Sequence, residues 1–287
     1  MIAVARTIAE VRQAVAGARR VGHVIGLAPT MGALHAGHVD LIRRCKADSG
    51  FAVVSIFVNP TQFGPHEDYN RYPRTFEADL QACEDAGAGL VFAPGPAEIY
   101  PRGNRPSTAV EVPGELADVL EGASRPGHFR GVATVVLKLF GIVRPDVAHF
   151  GRKDYQQLRV IRRMVADLDV PVDVREVPTV READGLAMSS RNRYLGPDER
   201  RVATVLHRAL VQAGRAVGEG ERDGDRVRQI LREAVESEPL AALDYAEVAD
   251  GETLAPLERL GEGRPAVALL AARVGPARLI DNAGLPA

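Results

Sequence analysis

Phe51 to Asn59 reads FAVVSIFVN, a β-branched and aromatic run that is apolar on both faces. A strand of that kind must be covered on both sides, as the centre of a parallel sheet is. The runs around it alternate in the same sense. HVIGLAP (23–29) reads as a buried strand and HVDLIRRCKAD (38–48) as a helix. A polar loop, NPTQFGPHEDYNRYPRT, leads to a helix at FEADLQACEDAG and a strand at GLVFAP. Helix 131–143 precedes the short strand VAHFG, then helix DYQQLRVIRRMVADL, then strand 172–180. Strand, helix, strand in this rhythm predicts an α/β fold built on a parallel sheet. Beyond Val180 the texture changes to two amphipathic helices, near 198–218 and 226–237, followed by three short strands. That predicts a small α+β domain over 180–287 behind a larger domain over 1–179.

Composition narrows the function classes. The chain has 287 residues, 46% of them hydrophobic and 26% charged, with a formal net charge of -2. No global positive field favours nucleic acid. The two cysteines, Cys45 and Cys83, are too few for a disulfide scaffold and read as buried free thiols. The first twenty residues carry repeated charges and no long apolar stretch, so a cytoplasmic, soluble protein without membrane span or signal peptide is expected.

In open parallel sheets ligands bind beyond the carboxyl ends of the strands. TMGALHAGH occupies such a place, with Gly32 and Gly37 allowing tight turning and His35 and His38 at i and i+3. The helix that follows offers unpaired N–H groups and the positive end of its dipole, which suits a phosphate. The spacing GALHAG is that of a P-loop, but His38 and Val39 stand where Lys and Ser/Thr are needed. The dinucleotide glycine fingerprint and the HExxH zinc motif are both absent, so no metal ligands are assigned.

A small-residue loop followed by H-x-G-H at a helix start resembles the signature of the HIGH-type nucleotidyltransferase superfamily. LAMSSRNRYL (186–195) stands where that superfamily carries its second, KMSKS-like signature. With SIFVNPTQF and KDYQQL added, the resemblance narrows to the pantoate–β-alanine ligase family, across about 26–195. It implies a Rossmann-like sheet with helices on both faces. It also implies ATP-dependent condensation of pantoate with β-alanine through a pantoyl adenylate, releasing AMP and pyrophosphate.

The family match implies an ATP site made from Thr30, Met31, Gly32, Ala33, Leu34, His35, Ala36, Gly37 and His38, from Gly151, Arg152, Lys153 and Asp154, and from Val180, Met188, Ser189, Ser190 and Arg191. His35, His38 and Lys153 are the catalytic candidates. His38 is the residue usually assigned as proton donor, although an imidazole N–H can also stabilise charge without transferring a proton. Asp154 either binds ribose or orders its loop. Gln62 and Gln157 are the implied pantoate pair, with Gln62 also meeting β-alanine. Asn59 is expected to reach phosphate and Tyr72 to wall the cavity beneath a mobile 63–75 loop. Mg²⁺ is expected to arrive with ATP, held mainly by its phosphates. The resemblance also implies a homodimer, with the small domain acting as a lid.

One residue departs from the family pattern: Arg152 stands where Glu is usual. It is harmless if it faces solvent and consequential if that position anchors Lys153. Arg125, His128 and Arg130 either line the pocket or lie on the surface. His66 reads as a solvated loop residue and His149 as core, while His23 and His207 carry no functional signal. Three other classes compete: another nucleotidyltransferase, a tRNA synthetase fragment and a non-catalytic nucleotide-binding module. The Gln62–Gln157 pair, the absence of a basic appendage and the intact His35, His38, Lys153 and Arg191 set argue against them in turn.

Overall fold

The computed structural model describes residues 2–65, 67–103, 105, 107–261 and 263–286. His66, read from sequence as solvated, lies outside the described residues. The chain divides into two compact units: Met1–Arg152 with Gln156–Pro178, and Lys153–Tyr155 with Thr179–Ala287.

The first unit carries β1 (Val4–Ala5), α1 (Ile8–Arg20), β2 (Ile25–Thr30), α2 (Ala36–Asp48), β3 (Phe51–Ile56), α3 (Phe76–Asp85) and β4 (Leu90–Phe92). Three single-turn helices follow: α4 (Pro96–Ile99), α5 (Gly114–Ala117) and α6 (Glu121–Ser124). Then come α7 (His128–Val143), β5 (Val147–Gly151), α8 (Tyr155–Asp167), which belongs to this unit from Gln156 on, and β6 (Asp173–Val177). The sheet order is β1-β4-β3-β2-β5-β6, and every pair is parallel. From β2 the chain winds outward through β3 to β4, then returns to place β5 on the other side of β2. The order therefore reverses between β2 and β5, and a crevice opens at such a point beyond the carboxyl ends. TMGALHAGH leaves β2 there and GRKD leaves β5.

The core explains the strand reading. Ala52, Val53, Val54 and Ser55 of β3 are all buried, as a strand covered on both faces requires. On one face Ala28, Ala52 and Val54 pack with Leu41, Ile42 and Cys45 of α2 and Cys83 of α3. α1 and α7 pack against each other elsewhere in the unit. Burial pushes both thiols up to about 12, as expected for inert core cysteines. His149 is 1% exposed, as core residues are, and its Nε2 meets Asp48 Oδ2 at 2.8 Å.

The N-terminal strand and helix had no counterpart in the sequence reading. The signal was legible: Thr7-Ile8-Ala9-Glu10 is a capping box, with Thr7 Oγ1 accepting from Glu10 N and Glu10 Oε2 accepting from Thr7 N. α2 starts two residues before the expected His38, and β3 stops at Ile56 rather than Asn59.

The second unit holds α9 (Pro197–Val202), α10 (Val205–Gly218), α11 (Gly224–Glu236) and an antiparallel meander β7 (Ala241–Asp250), β8 (Ala266–Val274), β9 (Ala277–Leu285). Leu206, Leu210, Val227 and Leu231 cover its sheet through Val248, Ala268 and Leu270. The single helix expected over 198–218 is broken after Val202. Thr204 turns its hydroxyl back to donate to Arg201 O at 2.8 Å, and α10 restarts at Val205. No helix among the described residues is long and apolar enough to cross a membrane.

Candidate active site

The loop after β2 is held by its own side. Gly32 and Ala33 both take positive φ, 81° and 52°, so the chain turns sharply on leaving the strand. Thr30 Oγ1 accepts from Gly32 N at 3.2 Å. Asp79 of α3, 2% exposed, accepts from Ala33 N at 3.0 Å and Leu34 N at 2.8 Å, and from Thr75 Oγ1 at 3.1 Å. A carboxylate is the group for this task because both its oxygens only accept. Sequence reading missed Asp79, since nothing local ties residue 79 to residue 33.

His35 lies outside the helix, as the expected helix start at residue 38 implies. It is the N-cap of α2, with extended backbone, and His38 is the third helical residue. His35 Nδ1 accepts from Gly37 N at 3.2 Å, and His38 Nδ1 accepts from His35 N at 3.3 Å. The rings lie 4.0 Å apart at 39°. The pair forms a capping box built from imidazoles. Since each Nδ1 accepts a backbone N–H, each neutral ring carries its proton on Nε2.

This changes what the loop can offer a ligand. The backbone donors of residues 32–35 and 37 point at the protein's own groups. The helix terminus therefore does not present those N–H groups to phosphate as expected. The two imidazoles accept at Nδ1 and so carry their own donors on Nε2. Gly37 takes no left-handed conformation; it contributes an N–H within the first turn.

The loop after β3 carries Asn59 and Gln62. Asn59 is 1% exposed. Its Nδ2 donates to Gln62 Oε1 at 3.1 Å and Gly131 O at 3.2 Å, while its Oδ1 accepts from Thr61 N at 3.3 Å and from the Tyr100 hydroxyl at 2.8 Å. The whole amide is thus committed to protein partners. Asn59, expected to reach phosphate, holds the Gln62 side chain through its amide. Gln62 Nε2 points at Met31 Sδ, 3.2 Å away. Gly131 lies so close that an added Cβ would stand 2.3 Å from Thr61 O, so only glycine fits. Tyr72, expected as a cavity wall, is buried edge-on against Phe63. Tyr69 and Arg74 line a cavity of about 290 Å³ with Met31, Gly32, Phe57 and Asp79.

At the end of β5, Gly151 is half-buried and Arg152 pairs with Glu176 of β6 at 3.3 Å, beside Arg162. The reversed charge at residue 152 is thus answered by a carboxylate on the neighbouring strand. Of the two adjacent glutamines on α8, Gln156 is buried and bridges Leu116 O, Val119 O and Glu121 N. Gln157 is only half-buried, one turn beyond Lys153.

Within the second unit, Lys153 has 20% side-chain exposure and its Nζ lies 3.3 Å from Asp154 Oδ1. Asn282 Nδ2 holds the Lys153 carbonyl at 2.9 Å. Val180 and Met188 face each other, Met188 N donating to Val180 O at 3.0 Å beside an Arg181–Ala187 bridge. Ser189 caps the 3-10 turn Ser190–Tyr194 by accepting from Arg191 N at 3.3 Å; Ser190 is buried and Arg191 half-buried. Arg181 forks onto Asp281 at 2.6 and 2.9 Å, which anchors this hairpin to β9.

A doubly wound parallel sheet whose switch-point loop is capped by two imidazoles has the make-up of a HIGH-type α/β enzyme. Residues 3–284 match the pantoate-beta-alanine ligase family, and the chain belongs to it. The pantothenate synthetase of Pelotomaculum thermopropionicum is 52% identical over 98% of both chains, and that of Heliobacterium modesticaldum 54% over 96% of this chain and 98% of its own. The crystal structure of pantothenate synthetase from Thermus thermophilus superposes with a TM-score of 0.92 at 47% identity, over 99% of this chain and 100% of that one. A pantoate-beta-alanine ligase from Francisella tularensis, complexed with beta-gamma ATP and beta-alanine, superposes at 0.79 with 33% identity, over 99% and 98%. The protein is a ligase of pantothenate biosynthesis.

Proposed function

We propose that the enzyme condenses pantoate with β-alanine in two steps driven by ATP. In the first, a pantoate carboxylate oxygen attacks the α-phosphorus, the bond to the bridging oxygen breaks, and pyrophosphate leaves. In the second, the β-alanine amine attacks the acyl carbon of pantoyl adenylate, loses a proton, and AMP departs. The ATP bound by the Francisella relative supports ATP as the nucleotide here.

The observation that carries the reading is the capping of α2 by His35 and His38 at the mouth of β2. With Nδ1 occupied by a backbone N–H, His38 offers an Nε2–H donor. Releasing that proton would leave an imidazolate, so His38 stabilises charge building on the phosphates without transferring a proton. Lys153 adds a full positive charge, and Arg191 forks across outer phosphate oxygens with the Ser189 hydroxyl beside it. Thr30–Leu34, Ala36, Gly37, Gly151, Arg152 and Asp154 frame the nucleotide, with Val180 and Met188 against its base and sugar. Gln62 and Gln157 read the pantoate hydroxyls and carboxylate, because amides donate and accept without adding charge. Gln62 also meets β-alanine.

Mg²⁺ is proposed to enter with ATP on its phosphate oxygens and waters. Residues 1–179 form the substrate-binding domain in this reading, and residues 180–287 a lid that helps exclude water from the acyl adenylate. A homodimer completes the reading, and sedimentation velocity tests it.

The central test is exchange of labelled pyrophosphate into ATP. It should require pantoate and proceed without β-alanine, and the complete reaction should release AMP. ADP as the product, or no exchange until β-alanine is added, would overturn the adenylate.

A further inference from the structure

Gln62 is oriented through its backbone as well as its side chain. Its carbonyl oxygen faces His128 Nδ1 at 2.8 Å and Arg125 Nη2 at 3.3 Å. His128 Nε2 faces Arg125 Nη1 at 3.0 Å. The partners decide the tautomer. A carbonyl only accepts, so Nδ1 carries the hydrogen; a guanidinium only donates, so Nε2 is the lone-pair nitrogen. Burial and the Arg125 charge push the His128 pKa down to about 4, which keeps the ring in that neutral form.

Arg125 is itself held. Its Nε and Nη2 donate to Glu67 Oε1 and Oε2 at 2.9 and 2.6 Å, a two-point pair with side-chain exposures of 16% and 25%. Glu67 belongs to the loop between β3 and α3, and Glu67 N bonds to Gly64 O at 3.1 Å. Arg125 thus touches both ends of this stretch, Gln62 and Glu67. The helix that carries His128 also carries Gly131, whose bare Cα admits residues 61 and 62.

We infer that Arg125 and His128 are positioning residues for pantoate. They fix the Gln62 carbonyl, and through the Arg125 pair they tie Glu67 to the orientation of the Gln62 amide. Neither touches substrate in this role; both act through Gln62. The inference rests on the proposal that Gln62 reads pantoate, and the experiment separates the two.

Steady-state kinetics on His128→Ala, Arg125→Ala, Gln62→Ala and the His128→Ala/Gln62→Ala double variant test it, with thermal melts as the folding control. Each of the first two should raise the pantoate KM about tenfold and leave the ATP KM within about twofold. His128→Asn places an amide N–H near the Nδ1 position and should recover most of the loss. In the Gln62→Ala background, His128→Ala should add less than about twofold, since both act on one contact. Additive losses, or an ATP KM that rises in step with the pantoate KM, would overturn the inference. An unchanged pantoate KM in His128→Ala and Arg125→Ala, with a raised one in Gln62→Ala, would overturn the clamp alone. An unchanged pantoate KM in Gln62→Ala would remove the reading of Gln62 and the inference with it. If His128→Ala does not fold, Arg125→Lys, which keeps the charge and loses the fork, carries the same expectations.

Discussion

Two neighbouring loops orient their key side chains by opposite means. After β2, backbone N–H groups two and three residues away set the imidazoles of His35 and His38. After β3, the Gln62 carbonyl is held by side chains more than sixty residues along the chain. The first arrangement is stiff, because moving a ring means breaking a helix cap. The second depends on packing between distant elements, and one of its members, Glu67, sits in a polar surface loop. On the proposed reading the difference fits a division of labour: phosphate chemistry calls for donors fixed before the substrate arrives, and a pantoate site for a loop that can open and close.

The sharpest way to break the comparison is at His38. His38→Ala should lower kcat by about 10²–10³-fold, the scale for losing one preorganised transition-state donor. Pantoate-dependent pyrophosphate exchange would read it, and a near-normal exchange rate would mean that the stiff loop is only structural.

Asp79→Ala asks whether the stiffness comes from the support beneath the loop. It leaves the Ala33 and Leu34 N–H groups without their carboxylate, at about 1–3 kcal/mol for each unsatisfied donor. Misplaced imidazoles should cost up to about 10²-fold in kcat, with the pantoate KM little changed. Loss of melting temperature with full activity would show that the rings hold their place without Asp79.

The smallest effect concerns pH and the second loop. The folded pKa of His128 is about 4 against an ordinary 6.5, so between those values the unfolded chain binds more protons. Stability contributed by neutral His128 is therefore full above about 6.5 and falls away as the pH drops toward 4. His128→Asn should flatten the melting temperature against pH in that window, by at most about 1.4 kcal/mol per pH unit. His207, also lowered by burial, titrates in both proteins and cancels in the comparison. An unchanged slope would mean that His128 is not held neutral.

Periodicity carried the strand–helix alternation and the change of texture near Val180, because apolar spacing is a local property. The histidine pair, the Ser189–Arg191 turn and the two glutamines of α8 were legible as motifs. Which of the two adjacent glutamines is buried was not. Gln156 is drawn inward by carbonyls of 116 and 119, a fact of tertiary packing. The N-terminal helix was overlooked although its capping box lies in plain view. The break at Thr204 coincides with its hydroxyl bonding Arg201 O, a contact that periodicity does not show.

Local sequence by itself determined the order of elements, the place of the histidine loop after β2 and the family. Tertiary structure alone decided the tasks of Asp79, Asn59, Arg125 and His128, and the tautomer of His128. A hydrogen bond is made in space, and the partners of these four residues lie up to 72 residues away along the chain. The chain's local spacing holds no record of such a meeting.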